Sequence, residues 1–289
     1  MKQSKRNSQI LVLAAIFAAS YILNRPAEAQ GTNPNYVPEL EQRQSTNQQM
    51  EQKTLEKQDQ QNAQPAPKAD PQEEADYKAF YATDQKDADT RIKLGEAFVQ
   101  KYPMSHYNES VYAALTRAYY AKQDWKNFYA SGDKALALNP DDPSVLVIIG
   151  WVIPHTLDKD NPNASADLDK AEKYEKHAIE VIGTMAKPAT MADDQFAQSK
   201  AMLLSQAHSG LGLVYFRRQQ PEDSAKELQQ ATQSAPTPDP TDLFVLGVDL
   251  QNLSRFGEAA DAFNQCGQIP SALQDRCKQS ADAAKKQAR

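Results

Sequence analysis

Histidine, serine, cysteine and grouped carboxylates are the side chains from which this 289-residue chain would have to build chemistry. The four histidines are His106, His155, His177 and His208. None has the His-Glu-x-x-His spacing that sets two imidazoles on one helical face for zinc, and no glycine-rich phosphate loop accompanies them. Ser209-Gly210-Leu211-Gly212 has the look of a nucleophile elbow, but that device needs a strand–turn–helix and the surrounding pattern is helical. Asp158-Lys159-Asp160-Asn161-Pro162-Asn163, with Asp167 and Asp169 behind it, places oxygen donors at alternate positions, as a calcium loop does. Pro162 falls where a ligand is required and Asn163 where the sharp turn needs glycine, so a capped helix start is the expected use of the stretch. No catalytic residue, metal site or cofactor is therefore expected.

Cys266 and Cys277 are the two cysteines. Two thiols without nearby histidines do not make a zinc site, and the nearest histidine is His208. In an oxidising compartment they are expected to pair; the alternative is two buried thiols acting as small apolar groups.

The elements that would carry these residues emerge from composition and pattern. Lys and Arg number 32 and Asp and Glu 38, giving a formal charge of −6; mean hydropathy is −0.71, which excludes a multi-pass membrane protein. Residues 1–29 read as a secretory signal peptide: Lys2, Lys5 and Arg6, then an apolar run Ile10–Leu23, then Ala27-Glu28-Ala29 before Gln30. The alternative is a retained inner-membrane anchor at 10–23, which is shorter than the roughly 20 apolar residues that span a bilayer. The first 29 residues carry a net +3, so removing them leaves −9. An acidic chain without a basic stripe is not expected to bind nucleic acid. Residues 30–72, rich in Gln, Asn and Pro, hold too few apolar side chains to offset chain entropy and are expected to form a tether. Leu40, Met50 and Leu55 sustain no heptad, so no coiled coil is expected there.

From 73 onward the pattern repeats. Counting from Glu109, Tyr112, Leu115 and Tyr119 fall at positions 4, 7 and 11, Phe128 and Ala135 at 20 and 27, and Pro140 at 32; Thr116 takes position 8. From Ser205, His208, Leu211-Gly212 and Tyr215 occupy 4, 7–8 and 11, and Ser224, Leu228, Ala231 and Pro236 occupy 20, 24, 27 and 32. From Pro240 come Leu243, Leu246-Gly247 and Leu250, then Ala259, Phe263 and Cys266. From Pro143, Leu146, Ile149-Gly150 and Ile153 open a unit whose second helix, 168–182, starts about nine residues late, with Ala171 and Ala178 resuming positions 20 and 27. This resembles the tetratricopeptide repeat (TPR) family. Positions 4, 7 and 11 form one stripe of a first helix, positions 20, 24 and 27 the facing stripe of a second, and proline at 32 ends the pair.

The resemblance implies an all-α, right-handed superhelical array of antiparallel helix pairs. Its units are 73–105 (degenerate), 109–142, 143–182, 194–236 and 240–270, followed by a cap at 271–289 with its helix at 274–286. In this register His208 is a packing residue and His177 faces solvent. The family lines its concave groove through first-helix positions 2, 5, 9, 12 and 13. Carried over, these give Arg117, Tyr120, Val147, Trp151, Leu213, Phe216, Arg217, Phe244, Val248, Gln251 and Asn252. Such an apolar wall with occasional arginine suits a peptide or protein partner. Ala113 and Arg117 stand where relatives that grip a terminal carboxylate carry Lys and Asn, so that clamp is not expected. The layout also looks like exported envelope-assembly and cell-division coordinators, without their trimerisation segment. The expectation is an exported, non-catalytic scaffold; the alternatives are an anchored assembly factor and an enzyme with its site in the insertions 154–166 and 183–194.

Overall fold

A computed structural model describes residues 70–158 and 160–288 of the chain. The signal-like segment, the tether as far as residue 69, and Lys159 in the acidic loop lie outside them. The described residues contain eleven α-helices and no strand. They are α1 (Pro71–Tyr81), α2 (Ala88–Lys101), α3 (Asn108–Lys122), α4 (Trp125–Leu138), α5 (Pro143–Thr156), α6 (Ala164–Thr184), α7 (Asp193–Arg217), α8 (Pro221–Ser234), α9 (Pro240–Asn252), α10 (Phe256–Gln268) and α11 (Gln274–Gln287). None is long and apolar enough to cross a membrane. Several begin at an aspartate that accepts from the first-turn N–H groups: Asp70, Asp87, Asp124, Asp142 and Asp239. α1 starts at Pro71, inside the stretch read as tether to residue 72 and ahead of the unit expected from 73, because Asp70 caps it and proline suits the first turn.

The helices pack as antiparallel pairs, α3 with α4, α5 with α6, α7 with α8 and α9 with α10. The first helices of successive pairs also touch in series: α3 with α5, α5 with α7, α7 with α9, and α9 with the cap α11. Three pairs turn identically. Gln123, Gln219 and Ser254, each the fifteenth residue of its unit, adopt left-handed φ of 55°, 60° and 59°. In each, the next N–H bonds the carbonyl five residues back: Asp124 to Tyr119, Gln220 to Tyr215 and Arg255 to Leu250.

The small residue at position 8 also has a physical role. A Cβ added to Gly150, Gly212 or Gly247 would approach the position-24 side chains Glu175, Leu228 and Phe263 to 2.6, 2.7 and 2.5 Å. In the unit that has Thr116 at position 8 the sizes are exchanged: position 24 is Gly132, whose added Cβ would lie 3.5 Å from the Thr116 methyl and 2.4 Å from Ile149. Close approach of the two helices survives because the pair, not the single position, conserves volume.

The first insertion is shorter than expected. α6 begins at Ala164, four residues before the expected start at Leu168, and α7 already begins at Asp193. In the acidic loop, Asp158 accepts from the Asp160 N–H, and Asn161 donates to Asp167 at 2.8 Å. Asp169 and Glu172 instead pair with Arg218 at the end of α7, tying α6 to α7. Against its desolvation, the bonds from Lys176 and Arg218 hold the Glu172 carboxyl down to about 2.

Cys266 on α10 and Cys277 on α11 form a disulfide with Cα atoms 5.7 Å apart, joining the last pair to the cap. For a loop of this size the chain-entropy model gives about 2–3 kcal/mol. The Cys266→Ala/Cys277→Ala chain is expected to unfold in urea with its free energy lowered by that amount, and a midpoint equal to the parent's would refute a stabilising role.

Candidate functional site

The serial contacts of α3, α5, α7 and α9 make these first helices one wall. Along it, Arg117 is exposed and donates from Nη1 to Ser144 Oγ at 3.0 Å. Tyr120 is half-buried with its ring edge-on to Trp151, centroids 6.3 Å apart. Trp151 and Phe216 are half-buried; Arg217 is exposed and donates from Nε to the Pro154 carbonyl at 3.0 Å. Phe244 is half-buried, 5.5 Å from Phe263 and under the Arg276 guanidinium at 4.7 Å. Val248 and Gln251 are half-buried and Asn252 is exposed. Two expectations need correction. Val147 is 1% exposed and Leu213 6% exposed, so both belong to the core rather than to an accessible surface. Their packing explains it: Val147 joins the cluster containing Tyr120 and Trp151, and Leu213 the cluster containing Phe244 and Val248.

Trp151 opens onto a cavity of about 640 Å³ between α5, α7 and the start of α9. Ser205, Gln206 and Ser209 of α7, Asp239 of the α8–α9 connection, and Asp242 of α9 share its lining, which among the described residues contains no Lys, Arg or His. A hydrogen-bond chain crosses it. The Trp151 indole N–H donates to Ser209 Oγ at 3.1 Å, and Ser209 Oγ–H donates to Asp242 Oδ1 at 2.8 Å. Asp242 is 3% exposed, and among the described residues Ser209 is its hydrogen-bond partner. Burial pushes its carboxyl up to about 7; Ser209 opposes the shift and the Asp239 charge adds to it. Behind Trp151 the His155 ring lies 3.7 Å away, its Nδ1 2.7 Å from the Trp151 carbonyl. A carbonyl only accepts, so Nδ1 carries the proton; burial lowers the His155 pKa.

Ser209 and Gln206 sit at positions 5 and 2 of their unit, so the rule that selected Phe216 and Arg217 also reaches them. Asp242, at position 3, is outside that rule. A second cavity, of about 530 Å³, is lined by Phe216, Arg217, Asn252 and the buried Asp249, whose carboxyl burial raises to about 6.

Glu175 on α6 is the most unusual carboxyl. It is fully buried, and among the described residues neither oxygen has a hydrogen-bond partner. It lies between Gly150 of α5 and Gly210 of α7, and burial raises its pKa well above the ordinary value. Of the remaining titratable groups, His208 is half-buried with Nδ1 2.7 Å from Glu227, a packing arrangement. His177, expected to face solvent, is half-buried against Asp141 at 2.9 Å. Among the described residues no group of three or more His, Cys, Asp or Glu could hold a metal ion.

Antiparallel helix pairs, three of them with the same left-handed turn, small-to-large contacts between positions 8 and 24, and first helices stacked as a wall define an all-α solenoid of helix pairs. No family model matches the chain, and no curated protein matches it. Solved structures similar to it include a thermophilic TPR protein of Thermus thermophilus, 17% identical over 74% of this chain and 99% of that one, with a TM-score of 0.46. The MamA RS-1 ArsTM double mutant is 15% identical over 74% and 98%, with a TM-score of 0.44. The P58(IPK) TPR domain is 14% identical over 74% and 63%, with a TM-score of 0.28.

Proposed function

We propose that the chain is an exported, non-catalytic scaffold that holds a polypeptide segment against the wall of first helices. The observation that carries this reading is the cavity at Trp151. It is large, open to solvent, edged by the half-buried Trp151, and built from three successive first helices together with the α8–α9 connection. Half-buried Trp and Phe beside polar groups are the usual anchors of polypeptide recognition. Ser209 donates to Asp242, but among the described residues no imidazole reaches Ser209 to complete a triad. The Cys266–Cys277 bond supports export, because such bonds persist in oxidising compartments.

Crosslinked capture from the envelope fraction, with the parent chain compared with Trp151→Ala and Phe244→Ala, tests the reading. The polypeptide held by the parent is expected to fall about tenfold or more in each variant, a loss typical of an anchor residue, while helical content is unchanged. Equal capture by all three chains would overturn wall binding. The mass of the purified chain tests export: a start at Gln30 is expected, and retention of residues 1–29 would refute cleavage.

A further inference from the structure

We propose that the cavity bounded by Trp151, Ser209 and Asp242 receives the basic side chain, lysine or arginine, of the bound polypeptide. This inference rests on the reading of the wall as a polypeptide-binding surface. It comes from charge complementarity. The cavity holds two carboxyl groups, Asp239 and Asp242, and among the described residues no cationic side chain lines it. Asp242 is almost wholly removed from water, yet it accepts a hydrogen bond from Ser209 alone among the described residues. A carboxylate in that position has lost hydration without gaining a counter-charge, and an entering ammonium or guanidinium group would supply it. Three features suit a long basic side chain in particular. Trp151 is the ring type that most strongly attracts a cation. Apolar lining such as Pro236, Pro238 and Ile269 accepts the aliphatic stem. The Trp151–Ser209–Asp242 hydrogen bonds fix the carboxylate before the partner arrives, so little ordering is left to be done on binding.

Blocked heptapeptide pools, random except for a central Lys, Arg, norleucine or Glu, would be passed over the immobilised full chain. The Lys and Arg pools are expected to be retained about tenfold more than the norleucine pool, and the Glu pool least. Asp242→Asn, which keeps the shape and an acceptor for Ser209, should abolish that preference while still retaining the norleucine pool. A second measurement needs no variant. Retention of the Lys pool by the parent chain should rise about tenfold from pH 6 to pH 8, as a carboxyl with a pKa of about 7 ionises, with the norleucine pool unchanged. Among the described residues the other titratable groups facing the site are Asp239 from the connection, His155 behind Trp151 on α5, and Glu175 of α6 across Gly210; Ile269, just after α10, is apolar. Their titration would persist in Asp242→Asn, so loss of the pH response in that variant assigns it. Pools that bind without preference for a central cation would overturn the inference and leave wall binding intact. Retention of no pool would overturn both.

Discussion

Replacing Gly210 by alanine is expected to lower the unfolding free energy by about 3 kcal/mol, whereas the same change in a chain already carrying Glu175→Ala is expected to be close to neutral. In an unobstructed helix interior, glycine to alanine gains up to about 1 kcal/mol, so the loss runs against propensity. Its origin is one slot. A Cβ on Gly210 would lie 2.1 Å from Glu175 Oε1 and 2.8 Å from its Cδ, with the Trp151 Cα at 3.1 Å. From the opposite side, a Cβ on Gly150 would stand 2.6 Å from the same Oε1. The carboxyl fills the space between two glycines and is fully buried, so it cannot swing aside into water. Alanine at 175 removes an unpaired polar group, a gain, and leaves a cavity, a cost, so that single change should be small. Urea unfolding of the four chains measures the coupling. Additive effects, or a stabilising Gly210→Ala in the parent, would show that the two residues do not share the slot.

The same slot shows where sequence reasoning succeeds and where it stops. Gly212–Leu228 and Gly247–Phe263 are legible because each pairs a small residue at position 8 with an apolar one at position 24, an unbroken spacing apart. Gly150–Glu175 obeys the same geometry, but an insertion lengthens its spacing and its large partner is a glutamate, a type that reads as surface. Thr116–Gly132 hides the rule differently, by exchanging the sizes. The helix pairs were therefore readable, since they depend on local periodicity. The site was readable only in part. Trp151 follows from its place on a first helix, but the burial of Asp242 does not. In sequence it is a first-turn acid beside the Asp239 cap, the usual place for a solvated carboxylate favoured by the helix dipole. It meets Ser209 of α7 and shares its surroundings with other α7 residues and the α8–α9 connection. These contacts are between units, and a repeat pattern read one unit at a time does not contain them. Val147 and Leu213 were misplaced for the same reason, since the position rule assigns a face but not the neighbour that covers it.

Three buried acids on or beside that wall should give the protein an unusually acidic stability optimum, near pH 4–5. Asp242, Asp249 and Glu175 all have folded pKa values raised above their ordinary ones by burial, Asp242 to about 7 and Asp249 to about 6. A raised acid makes the native state hold its proton more tightly than the unfolded chain does. Its favourable contribution is complete below the unfolded value near 4 and is lost as pH climbs through the folded value, so stability falls between about pH 4 and 7. For Asp242 alone, the rise from 3.8 to about 7 corresponds to about 4 kcal/mol, a large part of the roughly 5–15 kcal/mol that holds a typical domain. Other groups act in the opposite sense. Bonds from Lys101 and Tyr102 hold Asp76 at about 2, and those from Lys176 and Arg218 hold Glu172 there against its desolvation, so their contributions disappear as pH drops below 4. His155, lowered by burial, disfavours the native state below about its ordinary 6.5, which softens the decline without reversing it. Urea midpoints taken from pH 3.5 to 8.5 should therefore peak near 4–5 and fall toward 8. Asp242→Asn, which has no proton to lose, should be flatter and more stable than the parent at pH 8. Parent and variant curves that run parallel across pH 5–8 would mean that this carboxyl is charged in the folded protein, and with it the account of an unneutralised acid at the centre of the wall would fail.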